Sequence, residues 1–237
     1  MPRDEAVSYS EFQYHFAGAK LYLPRPTISM GRSFIEVLEG RRSRRLFGRL
    51  SAQRLSLLLW YAARTRASHQ ESSGFLWQHR PAPSAGGRHP VDILVAGQRE
   101  TALYDPISHS LHPLHNGDLI ADGLVSLTNE VVPVQQATIL WFVAQPARTA
   151  SKYANAESLI WRDAGALLTV ISLVAEALDL NCCAIGATGD PWLSGALEFG
   201  EDLHGLGGCL VGEAPNQSPL LEVSTGAAEA KVPGLVL

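Results

Sequence analysis

The chain has 237 residues, 46% of them hydrophobic and 18% charged, with a formal net charge of -4. That length supports a sizeable core in one large domain or two small ones, and a pI near 6.1 argues against nucleic acid as a bulk partner. Three cysteines, two of them adjacent at Cys182 and Cys183, build no disulfide framework and suit a reducing cytoplasm.

Met-Pro-Arg-Asp-Glu at the start carries charge rather than the apolar core of a signal peptide. Residues 1–33, punctuated by Pro24 and Pro26, are expected as an extended arm that is loosely ordered or wraps another subunit. Ser33, with a glutamate three residues on, has the capping-box pattern and opens a short helix to Glu39. Ser51 caps a second helix with Leu55, Leu58, Leu59 and Ala62 on one face. The polar stretch 65–82 reads as a loop, and the turn-rich Pro81–Pro90 leads into a strand, Val91–Ala96. Leu103–Pro106 and His109–Leu114 read as a hairpin, and Gly117–Asn129 as a helix with Leu119, Leu124 and Leu127 inward. Ala137–Ala144 is a continuous apolar run of strand length, which predicts a central strand buried on both faces.

Ala154–Leu180 is the strongest helical stretch. Its longest uncharged run, Ala164–Ala175, is bracketed by Asp163 and Glu176 and falls short of the ~20 residues that span a bilayer. Apolar on nearly every face, with Gly165 and Ala166 interleaved, it predicts a central or dimer-interface helix. A strand, Asn181–Ile185, a short helix, Pro191–Phe199, and a last strand, Gly208–Gly212, complete the pattern. Helices mixed with strands in no strict alternation argue for a single α+β domain, with an arm at 1–33, a body at 34–212 and a tail at 213–237.

The chemistry-bearing residues lie in a few stretches. Arg41, Arg42, Arg44 and Arg45 surround Ser43, and guanidinium forks at that density suit a phosphate, although a solvated basic turn has the same composition. Gly86 and Gly87 permit positive φ or the close approach of a ligand. His109, His112 and His115 invite a metal, but side chains alternate along a strand, so convergence is not expected. Cys182 and Cys183 read as small core residues. Lys152-Tyr153 is either an exposed lysine beside a half-buried tyrosine or an acid–base pair, with Arg148 adding a charge that favours a neutral amine. The phosphate-loop and nucleophile-elbow motifs are absent from the sequence.

Together these stretches resemble the nitroreductase superfamily, and most closely its SagB-type branch of azoline dehydrogenases, over about residues 12–212. Arg41-Arg42-Ser43-Arg44-Arg45 is similar to the R-x-S-x-[KR] turn, and Pro83-Ser84-Ala85-Gly86-Gly87-Arg88-His89-Pro90 to the P-S-A-G-x-x-x-P loop. Leu103-Tyr104-Asp105-Pro106 with His109 resembles the branch's hairpin, and Ala177–Gly186 its A-L-G-L-x-x-C-A-I-G stretch. The branch's A-G-H-x-x-Q-N signature is altered, with Ala166, Thr169 and Val170 at the variant positions.

The resemblance implies a mostly antiparallel sheet flanked by helices and a cytoplasmic homodimer with FMN at its interface. It implies that Arg41, Arg42, Ser43 and Arg45 hold the phosphate and that Pro83, Ser84, Ala85, Gly86 and Gly87 lie along the flavin. Ala184, Ile185 and Gly186 then face its reactive edge, and Lys152 and Tyr153 carry catalysis. The expected activity is oxidation of an azoline or related C–N bond of a peptide or small metabolite, with a biosynthetic protein as partner. An NAD(P)H-dependent nitro or quinone reductase, or a non-catalytic flavin-binding subunit, are the alternatives. Neither metal, nucleic acid nor membrane is expected.

Overall fold

The computed structural model describes residues 1–5, 7–27, 31–97, 99–198 and 204–215. In chain order it forms β1 (Leu21–Tyr22), α1 (Phe34–Gly40), α2 (Ala52–Ala63), β2 (Ala67–Gln70), β3 (Leu76–His79), a 3-10 turn (Ala85–Gly87), β4 (Val91–Ala96), β5 (Thr101–Asp105) and β6 (Ser110–Pro113). Then follow α3 (Gly117–Asn129), β7 (Thr138–Ala144), α4 (Pro146–Ala150), α5 (Glu157–Ala177), β8 (Asn181–Ile185), α6 (Trp192–Ala196) and β9 (His204–Gly212).

Seven strands make one sheet in the order β1-β6-β5-β4-β7-β9-β8, and each pairing is antiparallel. The centre is two-sided because strand side chains alternate. On β7, Leu140, Phe142 and Ala144 enter the core shared with α2 and α5, whereas Ile139, Trp141 and Val143 enter the core beneath α3 and α6. Cys182 and Cys183 divide between those two cores in the same way, and all three cysteines are buried free thiols. The result is a mostly antiparallel sheet with helices on both faces.

Local signals explain several boundaries. Glu36 N–H donates to Ser33 Oγ and Ser33 N–H to Glu36 Oε2 at 2.8 Å, completing the capping box. At its far end α5 stops at Ala177, followed by Asp179 at φ 53.

The structure departs from the sequence reading at five places. Residues 67–79 form a two-stranded hairpin rather than a loop. Its strand residues are all exposed or half-buried, so no apolar face marked them. Ser72-Ser73-Gly74 is the tip of that hairpin, with Gly74 at φ 84. Leu119 faces outward at 57% exposure, and Ile120, Ala121 and Leu124 take the core side of α3. Helix α5 begins at Glu157, three residues later than the sequence signal, and Ala154 before it donates its N–H to Met1 O at 3.1 Å. The N-terminal segment lies along its own chain: Pro2 bridges Tyr153, Phe16 bridges Leu114, and β1 pairs with β6. The last strand starts at His204, four residues earlier than its sequence signal. Phe199 and the tail beyond residue 215 lie outside the described residues.

Candidate active site

The glycine turn is built by α5. Asp163, buried on that helix, accepts from Ser84 Oγ at 2.5 Å and from the Ala85 N–H at 3.2 Å, while Ser84 Oγ accepts from the His89 N–H at 2.8 Å. Burial raises the Asp163 pKa above the usual carboxylate range, and the Ser84 and Ala85 bonds only partly offset that. Gly86 and Gly87 follow at φ 61 and 65, the left-handed region that favours glycine. A Cβ on Gly87 would stand 2.2 Å from Trp77 Nε1, because the 67–79 hairpin lays that indole over the turn.

Lys152 and Tyr153 reach the same turn from far along the chain. A Cβ on Gly86 would stand 2.7 Å from Tyr153 Oη and 3.2 Å from Lys152 Nζ. The pair is fixed by its backbone. Lys152 and Tyr153 N–H groups donate to Thr149 O, and the Lys152 carbonyl accepts from Arg3 N–H at 2.8 Å. Arg148 does not serve as the expected neighbouring charge. Its guanidinium donates to Asp92 Oδ1 at 2.7 Å, to His89 O at 3.1 Å and to Glu11. Burial opposes its charge, but Asp92 and Glu11 outweigh burial and hold it above the ordinary arginine range.

The basic turn sits at the other end of α5. Arg44 turns inward to Glu176, which Arg32 also contacts, at 3.2 Å. Burial works against the Glu176 carboxylate, yet the two guanidinium groups prevail and lower its pKa. Arg44 N–H donates to Cys182 O at 3.0 Å, which ties the turn to β8. Arg41, Arg42, Ser43 and Arg45 remain exposed, and among the described residues Arg41, Arg42 and Arg45 form no ion pair. Arg45 and Ser43 lie against Cys183, whose thiol is pushed up by burial against the pull of Arg45. Among the described residues strand β8 is the sheet edge, with Ala184 and Gly186 exposed, Ile185 buried, and open space where a Gly186 Cβ would be.

The predicted residues therefore form two groups. Pro83–Gly87 meets Lys152 and Tyr153 near Asp163, while Arg41–Arg45 meets the β8 edge near Glu176. At 1.5 Å per residue those anchors stand about 20 Å apart along α5. One chain does not bring the groups together.

The histidines diverge. His109 Nδ1 meets Tyr104 Oη at 2.8 Å and Nε2 meets Ser56 Oγ at 3.0 Å, inside the core. His112 stacks on Phe16 with ring centroids 3.5 Å apart. Among the described residues no group of three His, Cys, Asp or Glu could hold a metal.

Sequence reasoning missed Asp163, Glu176 and Trp77 as site-builders. The first two were legible only as the charges bracketing an apolar run, and Trp77 carried no signal.

A family model described as the nitroreductase family matches residues 38–198. Among solved structures, a candidate nitroreductase from Ralstonia eutropha is 24% identical, with 90% of this chain and 99% of that chain covered and a TM-score of 0.67. Another from Anabaena variabilis is 21% identical over 88% of this chain and 41% of its own, at a TM-score of 0.62. The Escherichia coli microcin synthetase McbBCD complex with truncated pro-MccB17 bound is 18% identical over 80% of this chain and 76% of that one, at 0.57. These likenesses establish the fold. Among curated protein sequences none matches the chain.

Proposed function

Since the chain belongs to the nitroreductase family, whose members are generally flavin-dependent oxidoreductases, we propose that it is an FMN-dependent dehydrogenase of the SagB type. Its substrate class is an azoline ring, or a related C–N bond, in a modified peptide or small metabolite. The observation that carries this reading is the meeting of Lys152 Nζ and Tyr153 Oη over Gly86.

The residues present fit the cofactor. Arg41, Arg42 and Arg45 are exposed cations without carboxylate partners among the described residues, beside the hydroxyl of Ser43, as a phosphate requires. Among the described residues, open space at Gly186 and the exposed Ala184 leave the edge of β8 free for a planar group, with Ile185 beneath them in the core. Pro83–Gly87 of a second copy supplies the opposing wall. Bound there, FMN supplies a hydride acceptor.

Aromatising an azoline also removes a proton, and this the chain itself must accept. Lys152 Nζ accepts that proton as general base, and Tyr153 Oη orients its transfer. Their place is set by the Thr149 carbonyl on one side and the N-terminal segment on the other.

Because the two groups of site residues lie about 20 Å apart along α5, a complete site takes one group from each of two copies. The outward side of α5 suits that contact, with Trp161 47% exposed and Gly165 and Thr169 also outside. The likeness to a multi-protein synthetase supports, for this chain, a biosynthetic partner that delivers a peptide.

The test is Lys152→Ala. Oxidation of an azoline substrate should fall about 10²–10⁴-fold, while flavin stays bound and reducible by dithionite; Tyr153→Phe should cost less. Unchanged oxidation would remove Lys152 from the mechanism. Rapid NADPH oxidation by wild type with nitroaromatic acceptors, and none with azolines, would favour the reductase instead.

A further inference from the structure

Beside Lys152 a cleft of about 520 Å³ opens between the 67–79 hairpin and the N-terminal segment, lined by Arg3, His69, Glu71, Ser73, Arg88 and Lys152 among others. That volume falls in the range that holds a small molecule. Its lining sets three cationic side chains against one carboxylate.

Arg88 is the unusual member. It is 97% buried, its guanidinium lies 3.8 Å over the Phe75 ring, and Nη2 donates to Glu71 Oε2 at 2.9 Å. Among the described residues Nε and Nη1 have no hydrogen-bond partner. A buried guanidinium with unmet donors carries a cost that an arriving acceptor relieves. Arg3 is held at the rim by bonds from its own Nε to Ala150 O and from its N–H to Lys152 O, both at 2.8 Å. The charge at the cleft mouth is thus built by the fold rather than scattered on its surface.

We infer that this cleft binds an oxyanion, the carboxylate or phosphate group of a small molecule, between Arg3 and Arg88 with Lys152 alongside. That this anion belongs to the substrate of Lys152 rests on the dehydrogenase reading; the anion site itself does not. A substrate so held would present an acidic group a short distance from its oxidised bond.

Calorimetric titration of the purified protein with glutarate and with pyrophosphate tests the site and separates the two anion sources. Saturable, salt-sensitive binding of either is expected, the tighter probe naming the source, and Arg88→Lys should weaken it about tenfold, because an ammonium lacks the guanidinium fork. Arg3→Gln, at an exposed position, should weaken binding several-fold and keeps the test valid if the Arg88 variant does not fold. The Arg41→Ala/Arg45→Ala protein should bind the same probe as wild type. Absence of binding up to about 10 mM, indifference to both Arg3→Gln and Arg88→Lys, or loss of binding in the Arg41/Arg45 variant would each overturn the proposal. Failure of azoline oxidation with anion binding intact would sink the dehydrogenase reading alone.

Discussion

Ser84 Oγ donates to Asp163 Oδ2 at 2.5 Å, and through that bond the first buried turn of α5 sets the position of the glycine turn. The same carboxylate accepts the Ala85 N–H, so one side chain holds both a hydroxyl and the backbone beside it.

Asp163→Ala should therefore cost more than Ser84→Ala. Removing the carboxylate leaves the Ala85 donor and the Ser84 hydroxyl unmatched in a half-buried place, a loss of about 1–3 kcal/mol. Urea denaturation of the two variants checks the order; equal midpoints would show that the turn is held elsewhere.

Gly86→Ala should damage activity beyond its effect on stability. The backbone there is at φ 61, which costs a residue with a side chain about 1–2 kcal/mol. The new methyl would also meet Tyr153 Oη at 2.7 Å and push the pair aside. Turnover should collapse in a protein that still melts cooperatively, and retained turnover would dissociate the pair from the turn.

Arg41→Ala with Arg45→Ala should release flavin. Each lost charge-assisted bond is worth ~1.5–3 kcal/mol, so occupancy measured by absorbance should fall sharply. Full occupancy would place the phosphate elsewhere.

Gly165→Leu separates assembly from folding. Nothing among the described residues lies within 4 Å of a Cβ at that position, so the subunit tolerates a larger residue. If α5 packs against a second copy, the variant should sediment as a monomer and lose flavin at the same time. A flavin-loaded monomer would refute the shared site.

Stability should decline between pH 6.5 and 4. Burial lowers His109 to about 4 and His89 to about 3, so in that interval the unfolded chain binds protons that the folded chain does not. The contribution is fully present above pH 6.5 and is lost as pH falls, up to about 3 kcal/mol for His109. Melting temperatures across that range give the slope, and His109→Gln should flatten it.

What the sequence by itself determined was local. Alternation on a run with no polar break required β7 to be buried on both faces, and the Ser33–Glu36 pattern required a helix start there. The glycines at 86 and 87 marked a turn that other residues could not form. Signals of this kind depend on neighbours a few positions apart, whose geometry the backbone dictates. The hairpin at 67–79 escaped notice because no face of it is buried, and periodicity records burial. Only the tertiary structure could bring Lys152 to Gly86, commit Arg148 to Asp92, or place Asp163 and Glu176 as anchors at the two ends of one helix. Those partners are far apart along the chain, and which of them meet depends on how α5 packs against the sheet, a sum over the whole core that no single stretch of sequence contains.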